Sequence, residues 1–134
     1  RRQAHSAQAT PALMINLDTH IFIAVLDGSL TASERAALEA DPAWGISGIV
    51  LWELAMLSAR KRIVLDLASR DLREALGVLH TFPITLELAR VSCELDFNTD
   101  PADHLIVATS LVHDVPLMTR DTKIRRSKLV RLAH

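Results

Sequence analysis

The sequence predicts an α/β domain, a central and mostly parallel sheet flanked by helices. Three observations carry that expectation. Short apolar runs that stop at polar or turn residues alternate with segments of helical periodicity, the pattern of β-α units with parallel strands. No internal repeat or low-complexity linker interrupts them. The chain has 134 residues, 49% of them hydrophobic, enough for one compact core and too few for a second domain of ordinary size.

The elements follow in order. Residues 1–13 are polar and aperiodic, and two leading arginines are followed by no apolar stretch of the kind an export signal needs. They read as a disordered leader or tag, and the folded domain is expected over residues 14–134. Met14-Ile15-Asn16-Leu17 is a short buried strand ending at Asp18. Residues 19–26 place Ile21, Phe22, Val25 and Leu26 at helical spacing, and Asp27-Gly28-Ser29 breaks the pattern. Thr31 with Glu34 three residues on is a capping box for a helix to about Ala40, stopped by Asp41-Pro42. Residues 44–47 are a second strand, and residues 49–61 a well-buried helix. The Ile63-Val64-Leu65 run is ambiguous. Residues 69–79 form an amphipathic helix.

Phe82-Pro83-Ile84 is a short strand near an edge, because proline cannot donate to a ladder. A helix over residues 86–95 and a loop through Phe97-Asn98-Thr99 come next. Asp100-Pro101 opens a helix with proline at its first position. That helix is apolar nearly all round, which places it in the middle of the domain. Residues 115–119 are a further strand, and residues 128–132 a candidate last one.

Net charge is −1, so no global basic field advertises nucleic-acid binding. Basic residues are concentrated locally instead: Arg120, Lys123, Arg125, Arg126, Lys128 and Arg131 crowd the C-terminal end. The single cysteine, Cys93, excludes an intramolecular disulfide and suits a reducing cytoplasm. Its helical neighbours Val91 and Leu95 suggest a buried thiol. No apolar run reaches the roughly 18 residues that span a bilayer, so no membrane association is expected. The histidines lack metal-ligand spacing.

Acidic residues carry the chemistry. In an open parallel sheet, ligands bind beyond the carboxyl ends of the strands. Asp18 ends the first strand, and Asp121 follows the strand over residues 115–119. Glu53 interrupts an otherwise apolar helix, where a carboxylate is costly unless a cation meets it. Asp103 sits in the first turn of the most buried helix. Converging carboxylates raise one another's pKa, and a divalent cation removes that cost. All-oxygen ligands favour Mg²⁺, with Mn²⁺ as a substitute, over zinc. Hydrolysis of a phosphodiester is the chemistry such a site supports.

The order Leu17-Asp18-Thr19, Leu51-Trp52-Glu53-Leu54-Ala55, Asp100-Pro101-Ala102-Asp103-His104-Leu105-Ile106-Val107-Ala108-Thr109 and Leu117-Met118-Thr119-Arg120-Asp121 resembles the PIN-domain ribonucleases, most of all the VapC-type toxins of toxin–antitoxin pairs. The resemblance runs from about Met14 to the C-terminus. It implies a PIN-like fold and an Mg²⁺-dependent endoribonuclease with Asp18, Glu53, Asp103 and Asp121 as its acidic quartet. Asp18 and Asp103 are then the firmest metal ligands, Asp121 meets the metal directly or through water, and Glu53 positions or deprotonates the attacking water. Asp100 and Thr119 are additional candidates, the family pattern favouring Asp103 over Asp100. His104 stands where many members carry arginine, which shifts phosphate binding toward Arg120, Lys123, Arg125 and Arg126. The resemblance also implies an RNA substrate, a homodimer, and an antitoxin whose inserted segment blocks the acidic pocket.

Each acid has a plainer role beside this one. Asp100, Asp18 and Asp121 can cap helices or turns, and Asp103 suits a helix dipole. Glu53 can pair with Arg60 or Lys61. Trp44 and Trp52 suit a core or a dimer interface better than base stacking. The competing function is a non-catalytic scaffold of the same fold, binding RNA or protein. An aspartyl phosphotransferase using Asp18 would need a second aspartate two residues on, where His20 stands.

Overall fold

The computed structural model describes residues 14–40 and 43–134. The leader expected at residues 1–13 and the Asp41-Pro42 stop lie outside the described residues. Among these residues four strands form one sheet: β1 (Met14–Leu17), β2 (Ala43–Ser47), β3 (His80–Phe82) and β4 (Leu117–Met118), in the order β3-β2-β1-β4. Every pairing is parallel. Among the described residues seven helices connect and cover them: α1 (Thr19–Asp27), α2 (Ala32–Glu39), α3 (Gly48–Ala59), α4 (Arg70–Val78), α5 (Leu86–Ser92), α6 (Pro101–His113) and α7 (Thr122–Arg125).

Local signals set most boundaries. Gly28 ends α1 at φ 76°, a left-handed conformation that costs glycine nothing. The Thr31–Glu34 capping box is formed in full. Ser47, Ser69 and Thr85 accept backbone N–H groups at the starts of α3, α4 and α5. The third strand is His80–Phe82 rather than residues 82–84, because Pro83 has no N–H to extend the ladder. The fourth is shorter than expected. The candidate strand over residues 128–132 contracts to a bridge between Leu117 and Leu132.

The core lies on both faces of the sheet and centres on Leu17, Ile21, Phe22, Ile46, Leu54, Ile106, Leu117 and Met118. As expected, α6 is central: Ala102 and every residue from Ile106 to Ser110 are buried. Asn16 on β1 pins it, its Nδ2 donating to the Ile106 carbonyl at 3.1 Å and to Ser110 Oγ at 3.0 Å. Two burial expectations fail. Of α3 only Val50 and Leu54 are buried, and Trp52 is 55% exposed, because one stripe of that helix meets α6 and α1. Cys93 is exposed, since α5 stops one residue before it and its periodicity no longer points it inward.

This topology positions the site. β1 and β4 are neighbours and run the same way, so Asp18 and Asp121 leave them at one end of the sheet. There the strand order switches direction around β1, where open α/β sheets bind ligands.

Candidate active site

Asp18, at the end of β1, is buried and serves as N-cap of α1, accepting the His20 N–H at 3.3 Å on Oδ1. Its Oδ2 accepts the Thr119 hydroxyl at 2.5 Å. Asp121 caps α7, accepting the N–H groups of Lys123 at 2.8 Å and Ile124 at 3.1 Å. Thr119 Oγ1 also accepts the Asp121 N–H at 3.1 Å. Both aspartates therefore act as helix caps while facing the same opening.

Glu53 projects from α3 and is half-buried. Its partner is Thr19, whose hydroxyl donates to Oε1; neither Arg60 nor Lys61 pairs with it, and both are exposed. Asp103 lies in the first turn of α6. Asp100 holds the N-cap position without a capping bond from its side chain. The backbone carbonyl of Asp100, not its carboxylate, accepts the Asp103 N–H at 2.9 Å, and Pro101 has no N–H to offer. The Asp100 carboxylate is left facing solvent.

All five acids line one cavity of about 420 Å³, together with His20 and Arg120. A neighbouring depression of about 250 Å³ shares Asp100, Asp103 and Asp121 and adds Thr99, Thr122 and Lys123. Electrostatics register the crowding. Asp103 is pushed up to about 7, first by burial and then by the charges of Asp18, Glu53, Asp121 and Asp100. Glu53 is raised as well, chiefly by burial, with the Thr19 hydroxyl pulling the other way.

Among the described residues no three such side chains are already gathered tightly enough to grip an ion. The carboxylates are instead spread round the cavity wall. Their chemistry nonetheless fits a hard divalent cation: every donor is oxygen, and the repulsion that raises Asp103 is what a bound cation relieves.

The basic residues are placed less simply. Arg120 lines the cavity but is paired with buried Glu34. Arg125 donates to the carbonyls of Thr119 and His134, and Lys123 Nζ lies 3.4 Å from the Asn98 carbonyl. Arg131 pairs with Asp114. Arg126 is exposed. His104 turns toward its own loop, stacking edge-on against Phe97 and meeting the Thr99 N–H at 3.3 Å. Sequence reasoning missed three residues: Thr19, His20 and the buried Glu34. The first two follow Asp18 directly, which was a usable signal. Glu34 was visible only as half of a capping box.

A family model described as PIN domain matches residues 15–128. Ribonuclease VapC22 of Mycobacterium tuberculosis (strain ATCC 25618 / H37Rv) is 33% identical over 100 residues, 72% of this chain and 75% of that protein. A chain in a toxin–antitoxin complex from Klebsiella pneumoniae matches with a TM-score of 0.66 at 24% identity, covering 90% of this chain and 98% of that chain. A chain of VapBC2 from Rickettsia felis, crystallised bound to a DNA fragment from their promoter, matches with a TM-score of 0.69 at 19% identity over 89% of this chain and 96% of that chain. These two structures are alike in fold.

Proposed function

The chain belongs to the PIN-domain family, and from that premise we propose that it is a divalent-metal-dependent endoribonuclease, the toxin of a toxin–antitoxin pair. One observation carries the catalytic part: carboxylates from separate elements line a single cavity at the carboxyl end of the sheet. Likeness to a ribonuclease at 33% identity supports RNA as the substrate. Likeness in fold to toxin–antitoxin complexes supports a protein antitoxin.

Asp18, Asp103 and Asp121 are the residues that would hold Mg²⁺, or Mn²⁺ in its place. The cation, when bound, supplies Lewis acidity toward the phosphate and lowers the pKa of water. Thr119 orients Asp18, and Thr19 orients Glu53 through Oε1, leaving Oε2 to take a proton from the attacking water. Asp100 is a further oxygen donor on the same wall.

Partner binding has its own surface in this reading. A largely apolar groove of about 420 Å³ runs between α1 and residues 62–65, lined by Ile23, Leu26, Ile63, Val64 and Leu65 together with the charged Asp27 and Arg62. Exposed Leu51 and Trp52 on α3 suit a homodimer or antitoxin contact.

A non-catalytic scaffold is disfavoured, because partly buried and mutually repelling carboxylates cost stability that such a protein has no use for. The deciding test is cleavage of a structured RNA mixture with Mg²⁺, with EDTA, and by the Asp18→Asn protein. Cleavage that needs both metal and Asp18 supports the proposal. A folded, antitoxin-free protein that cuts nothing returns the weight to the scaffold.

A further inference from the structure

Among the described residues one arginine, Arg120, stands on the wall of the acid cavity, and a buried carboxylate outside the acidic group anchors it from behind. Glu34 on α2 is 3% exposed. Its Oε1 accepts the Thr31 N–H at 2.9 Å and Arg120 Nη2 at 2.7 Å, and its Oε2 accepts Arg120 Nε at 2.9 Å. Arg120 Nη2 also lies 3.3 Å from the Ser29 carbonyl. One edge of the guanidinium is thus consumed by a two-point grip. Among the described residues its Nη1 donates to nothing, and the side chain is 43% exposed. Arg120 lines both the acid cavity and a depression of about 290 Å³ beside it.

An anion approaching Asp18, Glu53, Asp100, Asp103 and Asp121 meets repulsion unless a cation is fixed at the entrance. Arginine is suited to that task, since one edge of its planar fork can be held while the other binds phosphate. Holding it in advance also removes the entropy of immobilising a long side chain when substrate arrives. Arg125, which lines the neighbouring depression with it, is less available, since it spends Nη1 and Nη2 on carbonyls.

Resting on the ribonuclease reading, we propose that Arg120 seats a backbone phosphate of the RNA at the mouth of the acid cavity, and that Glu34 is a positioning residue that aims it. A phosphate contact of this kind strengthens binding to any RNA and leaves the choice of sequence to other residues. A purely structural pair tying α2 to the segment after β4 would change stability without changing substrate affinity.

The experiment uses the full chain. KM and kcat are measured on a cleavable RNA, and the Kd for a fluorescein-labelled single-stranded oligoribonucleotide is followed against salt in EDTA. The double variant Glu34→Gln/Arg120→Gln removes the buried charge together with its partner, so no carboxylate is stranded. It should stay folded, raise KM and Kd about tenfold with little change in kcat, and flatten the salt dependence by about one phosphate's slope. Glu34→Gln alone keeps the cation but loosens it: KM should rise and the salt slope should hold. Arg73→Ala, a surface cation on α4, is the control for lost charge and should change neither.

A folded double variant with unchanged KM and salt slope overturns the proposal, and the ribonuclease reading stands if the wild type still cleaves. Should the double variant not fold, Glu34→Gln decides, since an unchanged KM in that folded protein also overturns it. A wild type that neither binds nor cleaves RNA removes both this proposal and the reading beneath it.

Discussion

Thr119 and Asp18 are joined by a hydrogen bond of 2.5 Å between residues 101 positions apart in the chain. The same threonine oxygen accepts the Asp121 N–H at 3.1 Å, so a single hydroxyl ties together the acids that follow β1 and β4. Thr119→Val keeps the shape and removes that tie. We expect on the order of tenfold slower RNA cleavage, typical of losing an orienting partner, with the fold kept. Single-turnover cleavage beside circular dichroism checks it. A full-speed variant would show that Asp18 needs no orienting hydroxyl.

Replacing either carboxylate assigned as a firm metal ligand should be far more severe. Asp18→Asn and Asp103→Asn are expected to abolish cleavage while the protein stays folded, and to relieve any growth arrest caused by expression. Undiminished cleavage by either folded variant removes that residue from the assignment.

The raised Asp103 makes a prediction for the metal-free protein. Its pKa rises from 3.8 to about 7 on folding, so the folded state binds the proton more tightly than the unfolded state does. Below pH 3.8 both states are protonated and nothing is lost. Stability then falls as pH rises toward 7 and stays reduced above it. Mg²⁺ at pH 8 should therefore raise Tm, and Asp103→Asn should raise the metal-free Tm while shrinking the Mg²⁺ response. An equal Mg²⁺ shift in both proteins would contradict this.

Glu34 has the opposite sign. The Arg120 hydrogen bonds hold it at about 2, against an ordinary 4.5. Its contribution is present above pH 4.5 and is lost as pH falls toward 2. The shift corresponds to on the order of 3 kcal/mol at most, less in salt because Arg120 faces water. Acid unfolding of Glu34→Gln should be correspondingly shallower, as followed by circular dichroism against pH.

Gly45 tests the sheet. A Cβ there would stand 2.6 Å from Phe82 Cε2, 3.0 Å from Met14 Sδ and 3.1 Å from the His80 carbonyl. Gly45→Ala should cost about 1–3 kcal/mol as an overpacked core position, read as a lower midpoint in urea.

Much of this protein was legible residue by residue. Strand–helix alternation, the Thr31–Glu34 box, the proline start of α6 and the order of the acids all depend on neighbours a few positions away, and they could be read directly. Asp100 shows the limit. Asp-Pro spells an N-cap, yet the Asp103 N–H goes to the Asp100 carbonyl and the carboxylate is left on the cavity wall. Cys93 shows another, since a helix one turn shorter than its apolar pattern moves a thiol from core to surface.

By itself the sequence determined most of the strand and helix segments and which acids stand at their ends, because propensity, capping and charge act over a few bonds. Only the tertiary structure decided that Glu53 meets Thr19, that Thr119 meets Asp18, and that Arg120 is held by Glu34. Those partners lie 34, 101 and 86 residues apart. Packing four parallel strands and their helices brings them together, and no local pattern records which pairs that packing selects.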